Sequence, residues 1–243
     1  MARGGDGARR LLRLILLGRL HGPLRKTMPS YLSNQMPRTF APKPGYAVRF
    51  WRKKGLCRPP RVNVLHLVAH KAPGYLEGLL PPTEGRVALG DSREFDFLEL
   101  GGPYTWVVTS PPYFGMRSYV PDQWLRHWFL GGNPEVQYSY NGQIGSTGLE
   151  GFVLGLRQVW TNVARSCVPG AWLVVRFGAL PSSAGTCDAE FLLRETLRGT
   201  PWRVKEVRPA GTAGCGKRQA LQFFGDRASS SVEEVDLVAK LEK

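Results

Sequence analysis

The residues best suited to chemistry are Ser110 and Tyr113, which flank Pro111 and Pro112 in Thr105-Trp-Val-Val-Thr-Ser-Pro-Pro-Tyr-Phe-Gly-Met-Arg-Ser-Tyr119. A serine hydroxyl and the neighbouring peptide carbonyls are hydrogen-bond acceptors. Two consecutive prolines hold those acceptors still, because each ring locks φ and neither nitrogen can donate. Such a set suits an exocyclic amino group on a nucleobase. That nitrogen is a poor nucleophile, since its lone pair is delocalised into the ring. Accepting its protons would localise the lone pair and aim it, with little cost of orientation at the moment of reaction. Tyr113 could then stack on a base swung out of its helix. The plain alternative is a Pro-Pro turn that only ends a core strand.

The element that must position this turn is the run before it. Thr105 to Thr109 is short, β-branched and aromatic, which predicts a buried strand. Ligands of open α/β sheets bind outside the carboxyl ends of strands, and Ser110 would stand at such an end. A strand before the turn and an aromatic directly after it favour the chemical reading.

Thr109-Ser-Pro-Pro-Tyr113 resembles motif IV of the amino-group DNA methyltransferases, which modify N4 of cytosine or N6 of adenine with S-adenosylmethionine. The Ser-Pro-Pro-Tyr spelling is more similar to the cytosine-N4 subgroup. Gly90-Asp91-Ser-Arg resembles the Gly-Asp segment that precedes motif IV in the permuted, β-type order. Gly142-Gln-Ile-Gly145, a following helix and Pro169-Gly170-Ala-Trp-Leu-Val-Val-Arg-Phe-Gly178 resemble the usual sequel, so the likeness covers roughly residues 86 to 225. It implies a Rossmann-like α/β methyltransferase sheet with an antiparallel edge hairpin. It also implies Ser110, Pro111, Pro112 and Tyr113 as catalytic residues, and Gly90, Asp91 and Thr109 near the methyl donor.

One expected part is missing from the sequence. The family uses a glycine-rich loop, spelled like Asp-Pro-Phe-x-Gly-Ser-Gly, because only glycine permits close approach of the backbone to the donor. In the permuted order this loop follows the last strands, and no such stretch occurs before Lys243. No separate target-recognition domain is evident either. Three explanations stand open: a split enzyme completed by a second polypeptide, a divergent segment around Val62–Tyr75 replacing the loop, or a truncated relic. A methyltransferase-fold DNA-binding protein without activity is the second functional reading. Protein-glutamine or RNA methylation fits less well, since the glutamine enzymes are usually spelled Asn-Pro-Pro-Tyr.

Charge adds a partner. Residues 1–61 carry fifteen Lys/Arg and a single acid, Asp6, which accounts for the whole net charge of +14; the remainder carries eighteen of each sign. A basic arm on a neutral domain is the footprint of a polyanion, here DNA. The arm is drawn as residues 1–58, partly disordered, with an α/β domain over 59–243. Within it, Arg52, Lys53 and Lys54 lie beside Tyr46, Phe50 and Trp51, a mixture suited to phosphate neutralisation and stacking. The alternative is that these rings pack on the domain while the cations stay in water. Arg9 to Leu20 alternates arginine with leucine, too short and too charged for a membrane span. An amphipathic helix, a transit-like presequence and read-through upstream of Met28 all remain open for it. The four scattered cysteines form no Cys-x-x-Cys pair, so no metal is expected, and a reducing cytoplasm is the natural setting.

Along the chain, Val62–Ala69 and Arg86–Leu89 are predicted strands, and Ala72–Leu80 a short helix. After Tyr119, a helix N-capped by Asp122 would line one face with Trp124, Trp128 and Phe129 as core. Arg117 and Arg126 suit DNA phosphates. The glycine-rich stretch 131–148, with Gln143, suits a lid. Glu150–Cys167 has helical periodicity and is expected to stop at Pro169-Gly170. Trp172–Phe177 reads as a strand buried on both faces, and residues 188–198 as a helix. Trp202–Pro209 and Gln219–Phe224 would form the closing hairpin, with Lys217 and Arg218 at its tip facing DNA. The tail after Ala228 reads as frayed surface.

Overall fold

A computed structural model describes residues 4–20, 32, 49, 52–53, 55, 61–77, 85–114, 119–137, 144, 148–179, 188–212 and 233–242. Lys54, Arg117, Gln143, Lys217, Arg218 and residues 219–224 lie outside them. Chain contacts divide the protein into two compact units, Met1–Glu84 with Ser118–Tyr140, and Gly85–Arg117 with Asn141–Lys243.

The first unit is helical in its described parts: α1 (Gly4–Leu17), α2 (Val64–Lys71), α3 (Pro73–Leu76) and α4 (Tyr119–Phe129). The strand expected over Val62–Ala69 is therefore α2. Short apolar runs read alike as strand or helix, and here Asn63 decides the matter as an N-cap. Its side chain accepts the His66 backbone N–H at 2.9 Å, satisfying a donor the first turn would otherwise leave open. Leu67 is buried while Val64 and Leu65 are exposed. Helix α4 begins at Tyr119, so Asp122 lies inside its first turn and is not the cap. Its aromatics are not core either: Trp124 is half-buried, and Trp128 and Phe129 are exposed.

The second unit is a mixed four-stranded α/β sheet of order β1-β2-β4-β3. The strands are β1 (Tyr104–Thr109), β2 (Cys167–Gly178), β3 (Trp202–Thr212) and β4 (Glu233–Leu241). Strand β1 runs parallel to β2, and β4 runs antiparallel to both β2 and β3. Helices α5 (Gly148–Ala164) and α6 (Ala189–Leu197) pack on this unit. The two helices follow expectation closely, and Asp188 caps α6 by accepting the Phe191 N–H at 2.9 Å. Phe152, Leu156, Trp160 and Val163 of α5 meet Leu173, Val175 and Phe177 of β2 in one core. Each such side chain, fully buried, contributes about 1.5–3 kcal/mol. The indole donors are satisfied inside it. Trp160 donates to Thr196 Oγ1 at 3.0 Å, and Trp202 to the Trp160 carbonyl at 2.9 Å.

Four expectations change here. Helix α5 stops before Cys167, and Pro169-Gly170 instead sits within β2, where the register jumps between Tyr104↔Cys167 and Trp106↔Trp172. Proline cannot donate to the ladder, and Gly170 at φ +82° takes a conformation other residues resist, so the pair makes a bulge. Strand β2 is sealed on one face only; Trp172 and Val174 are half-buried and Arg176 is exposed. Arg86–Leu89 is not a strand, since no described strand offers its backbone a partner, and Val87 and Leu89 are fully exposed. The tail after Ala228 is not frayed. Its residues 233–241 form β4, between β2 and β3, with Leu237 and Ala239 wholly buried. The antiparallel partner of β3 is thus Glu233–Leu241, reached by a longer connection than the Gln219–Phe224 pairing assumed.

Leu237→Ala should lower stability by about 2–5 kcal/mol, the usual cost of emptying a buried leucine site. Urea unfolding would read this as a lower midpoint at unchanged slope. A loss below about 1 kcal/mol would show that β4 is not a core strand.

Candidate functional site

The Ser-Pro-Pro-Tyr turn interrupts the β1–β2 ladder without ending it. Thr109 pairs with Val175, and an isolated parallel bridge then joins Phe114 to Ala179. Five steps on one strand oppose four on the other, so the turn bulges outward by one residue. Pro111 is buried, Pro112 and Tyr113 are half-buried, and Ser110 is exposed. The imino acids anchor the turn in the core while the hydroxyl stays at the rim. Thr109 shares the register of Val175 and is half-buried on the core face.

Tyr113 is braced from two sides. Its ring meets Phe177 edge-on, with centroids 5.9 Å apart. Its hydroxyl donates a short hydrogen bond to the Glu234 carboxylate on β4. Two positions along β4, Asp236 accepts from Arg176 through Nε at 2.8 Å and Nη2 at 2.7 Å, a bidentate pair across the Arg176↔Asp236 register position. Hydrogen bonding to Arg176 holds the Asp236 carboxyl below its usual range. Ser110 follows the last position of β1 paired next to Arg176, so the hydroxyl, the phenol and this charged group share the carboxyl end of the parallel pair. Glu234, Asp236 and Arg176 were not singled out from sequence. The usable signal was the alternation of Val235, Leu237, Ala239 and Leu241, which marks a strand with one polar face.

The donor-side residues do not join them. Asp91 is clasped by Arg93, through its backbone N–H at 3.0 Å and its guanidinium. The hydrogen bonds from Arg93 pull the Asp91 pKa down to about 2. Gly90 has no room to offer a ligand: a Cβ there would lie 2.6 Å from the Phe95 ring. The carbonyls of Ser92 and Phe95 accept from Asn162 near the end of α5. The Ser166 carbonyl, four residues on, accepts from Tyr104 at the start of β1. Asp91 therefore sits toward the amino end of β1, whereas Ser110 follows its carboxyl end. These residues do not fit a cradle for a methyl donor.

Of the residues expected at DNA, Arg52 and Lys53 are exposed. Arg126 is engaged within the first unit, donating to the Leu17 carbonyl at the end of α1 (3.3 Å) and to Gln123. Among the described residues no helix is long and apolar enough to cross a membrane.

The Asp91–Arg93 pair makes a pH prediction. A carboxyl whose pKa falls on folding adds stability that is complete above its ordinary 3.8 and is lost as the pH drops through about 2. Both partners are well hydrated, so the effect is roughly 1 kcal/mol or less. A carbon-13 titration of the Asp91 carboxyl should give a midpoint near 2, and Arg93→Gln should return it toward 3.8. A wild-type midpoint near 4 would show the clasp is not formed in solution.

No family model and no curated protein sequence matches this chain.

Proposed function

We propose that this chain is the acceptor-side part of an S-adenosylmethionine-dependent DNA methyltransferase that acts on an exocyclic amino group, cytosine N4 ahead of adenine N6. One observation carries the reading: Ser110 is exposed at the carboxyl end of a parallel strand, on a turn whose first proline is buried. In that role the Ser110 hydroxyl and the Pro111 carbonyl accept the amino protons and aim the nitrogen. Tyr113, held by Phe177 and Glu234, offers an edge or face to the extruded base. The basic arm neutralises backbone phosphates.

The donor is held by a second polypeptide in this reading. Two strand-type runs support that assignment. Strand β1 has the continuous apolar composition of a central parallel strand, yet among the described residues its outer edge is unpaired. Trp106 and Val108 are 58% and 74% exposed on it. Val87 and Leu89, also strand-like, are bare. A sheet continued by another chain would cover them and bring in the missing glycine-rich loop.

The second reading is a methyltransferase-like fold that binds DNA without catalysis, and the poor fit of Gly90 and Asp91 to a donor cradle favours it. Calorimetric titration with S-adenosylmethionine, alone and with the polypeptide encoded beside it, separates the two. Heat of binding only in the mixture supports the split enzyme, and no binding in either case supports the inactive protein.

Incubating that mixture with labelled donor and genomic DNA, then digesting to nucleosides, should yield a methylated amino group, with N4-methylcytosine expected. Tyr113→Ala should abolish the product while leaving far-ultraviolet circular dichroism unchanged; retained activity removes the stacking role. Deleting residues 1–58 should weaken DNA binding and flatten its dependence on salt. An unchanged slope would exclude the arm as the contact surface.

A further inference from the structure

A second polar site lies away from the Ser-Pro-Pro-Tyr turn. An open groove of about 510 Å³ runs along the outer side of α5, lined by Arg93, Glu94, Arg157, Gln158, Thr161 and Arg165, among others. Arg157, Thr161 and Arg165 are four residues apart, so they form one stripe of the helix. Three guanidiniums face a single carboxylate, Glu94, in a unit whose sequence is otherwise near charge balance. Arg93 is neutralised by Asp91. Arg157 is only half committed: Nη2 donates to the Glu195 carbonyl at 2.8 Å, and its buried Nε has no acceptor among the described residues. Arg165 is exposed. The neutral polar groups are largely spoken for, since Thr161 donates to the Arg157 carbonyl and Asn162 to Ser92 and Phe95.

We propose that this groove binds the phosphodiester backbone of a nucleic-acid strand through Arg157 and Arg165. No aromatic side chain lines it, so it has nothing to stack on a base. Bare guanidiniums suit phosphate oxygens, which they meet in a planar fork. Arg157 lies within α5 and Arg165 just past its end, eight residues on, a rise of about 12 Å at helical spacing. That separation matches several phosphate steps of a duplex better than one small ion. The site requires no methyl transfer, so it stands or falls independently of the proposed activity.

The test is fluorescence anisotropy of the full chain with a labelled DNA duplex over a range of salt, beside titration with inorganic phosphate. Arg165→Gln should weaken duplex binding and reduce the log–log salt slope by about 0.9, one released counterion. Arg157→Gln with Arg165→Gln should reduce it by about twice that, and Glu94→Gln should tighten binding. Lys205→Gln, the same charge change on β3, should leave the slope within error. Equal effects of Arg165→Gln and Lys205→Gln would overturn the proposal, because net charge alone would then explain the loss. An Arg165→Gln effect on inorganic phosphate but none on the duplex would overturn it too, reassigning the groove to a free anion. The Arg165 side chain is exposed, so its variant keeps the test valid if the Arg157 variant is unstable.

Discussion

The constraint on which the second unit depends is the entry of β4, antiparallel, between β2 and β3. That one strand completes two hydrogen-bonded ladders and supplies Leu237 and Ala239 to the centre of the core. It closes an edge of β2 that would otherwise present unpaired donors and acceptors. It also carries Glu234 and Asp236 to the carboxyl end of β2, where they meet Tyr113 and Arg176. The polar rim beside Ser110 therefore exists only because the last strand runs in the reverse direction.

Rigidity at that rim comes from covalent and packing sources more than from charge. Pro111 is locked in φ and buried, and the bridge from Phe114 to Ala179 resumes pairing just beyond the turn. With both ends of the turn pinned, the Ser110 hydroxyl has few orientations to lose. The Arg176–Asp236 pair is bidentate but half-exposed, so it adds direction more than stability. The same holds for Asp91 and Arg93 at the other end of β1.

Open surface is equally informative. Apolar side chains scattered singly on a surface are ordinary, but Trp106 and Val108 stand together on an edge strand that has neither a charge nor a proline to discourage pairing. On the helical side, by contrast, the arginine stripe of α5 offers charge without apolar cover.

The sequence by itself determined the elements whose signals are local. The periodicity of α5, the helix over 188–198 and the strand before Ser110, though not the burial expected of it, were legible, because each rests on residues a few positions apart. The break in the ladder at Pro111 and Pro112 was legible for the same reason, though not the bridge that resumes at Phe114. Tertiary structure decided what depends on distant partners. Arg86–Leu89 has no partner among the described strands, because a strand needs a neighbour that local sequence does not supply. Tyr113 was drawn to a glutamate 121 residues later in the chain. Pairing between strands far apart in sequence leaves no local mark, so the closing strand and the charged rim it builds could only be read once the chain was folded.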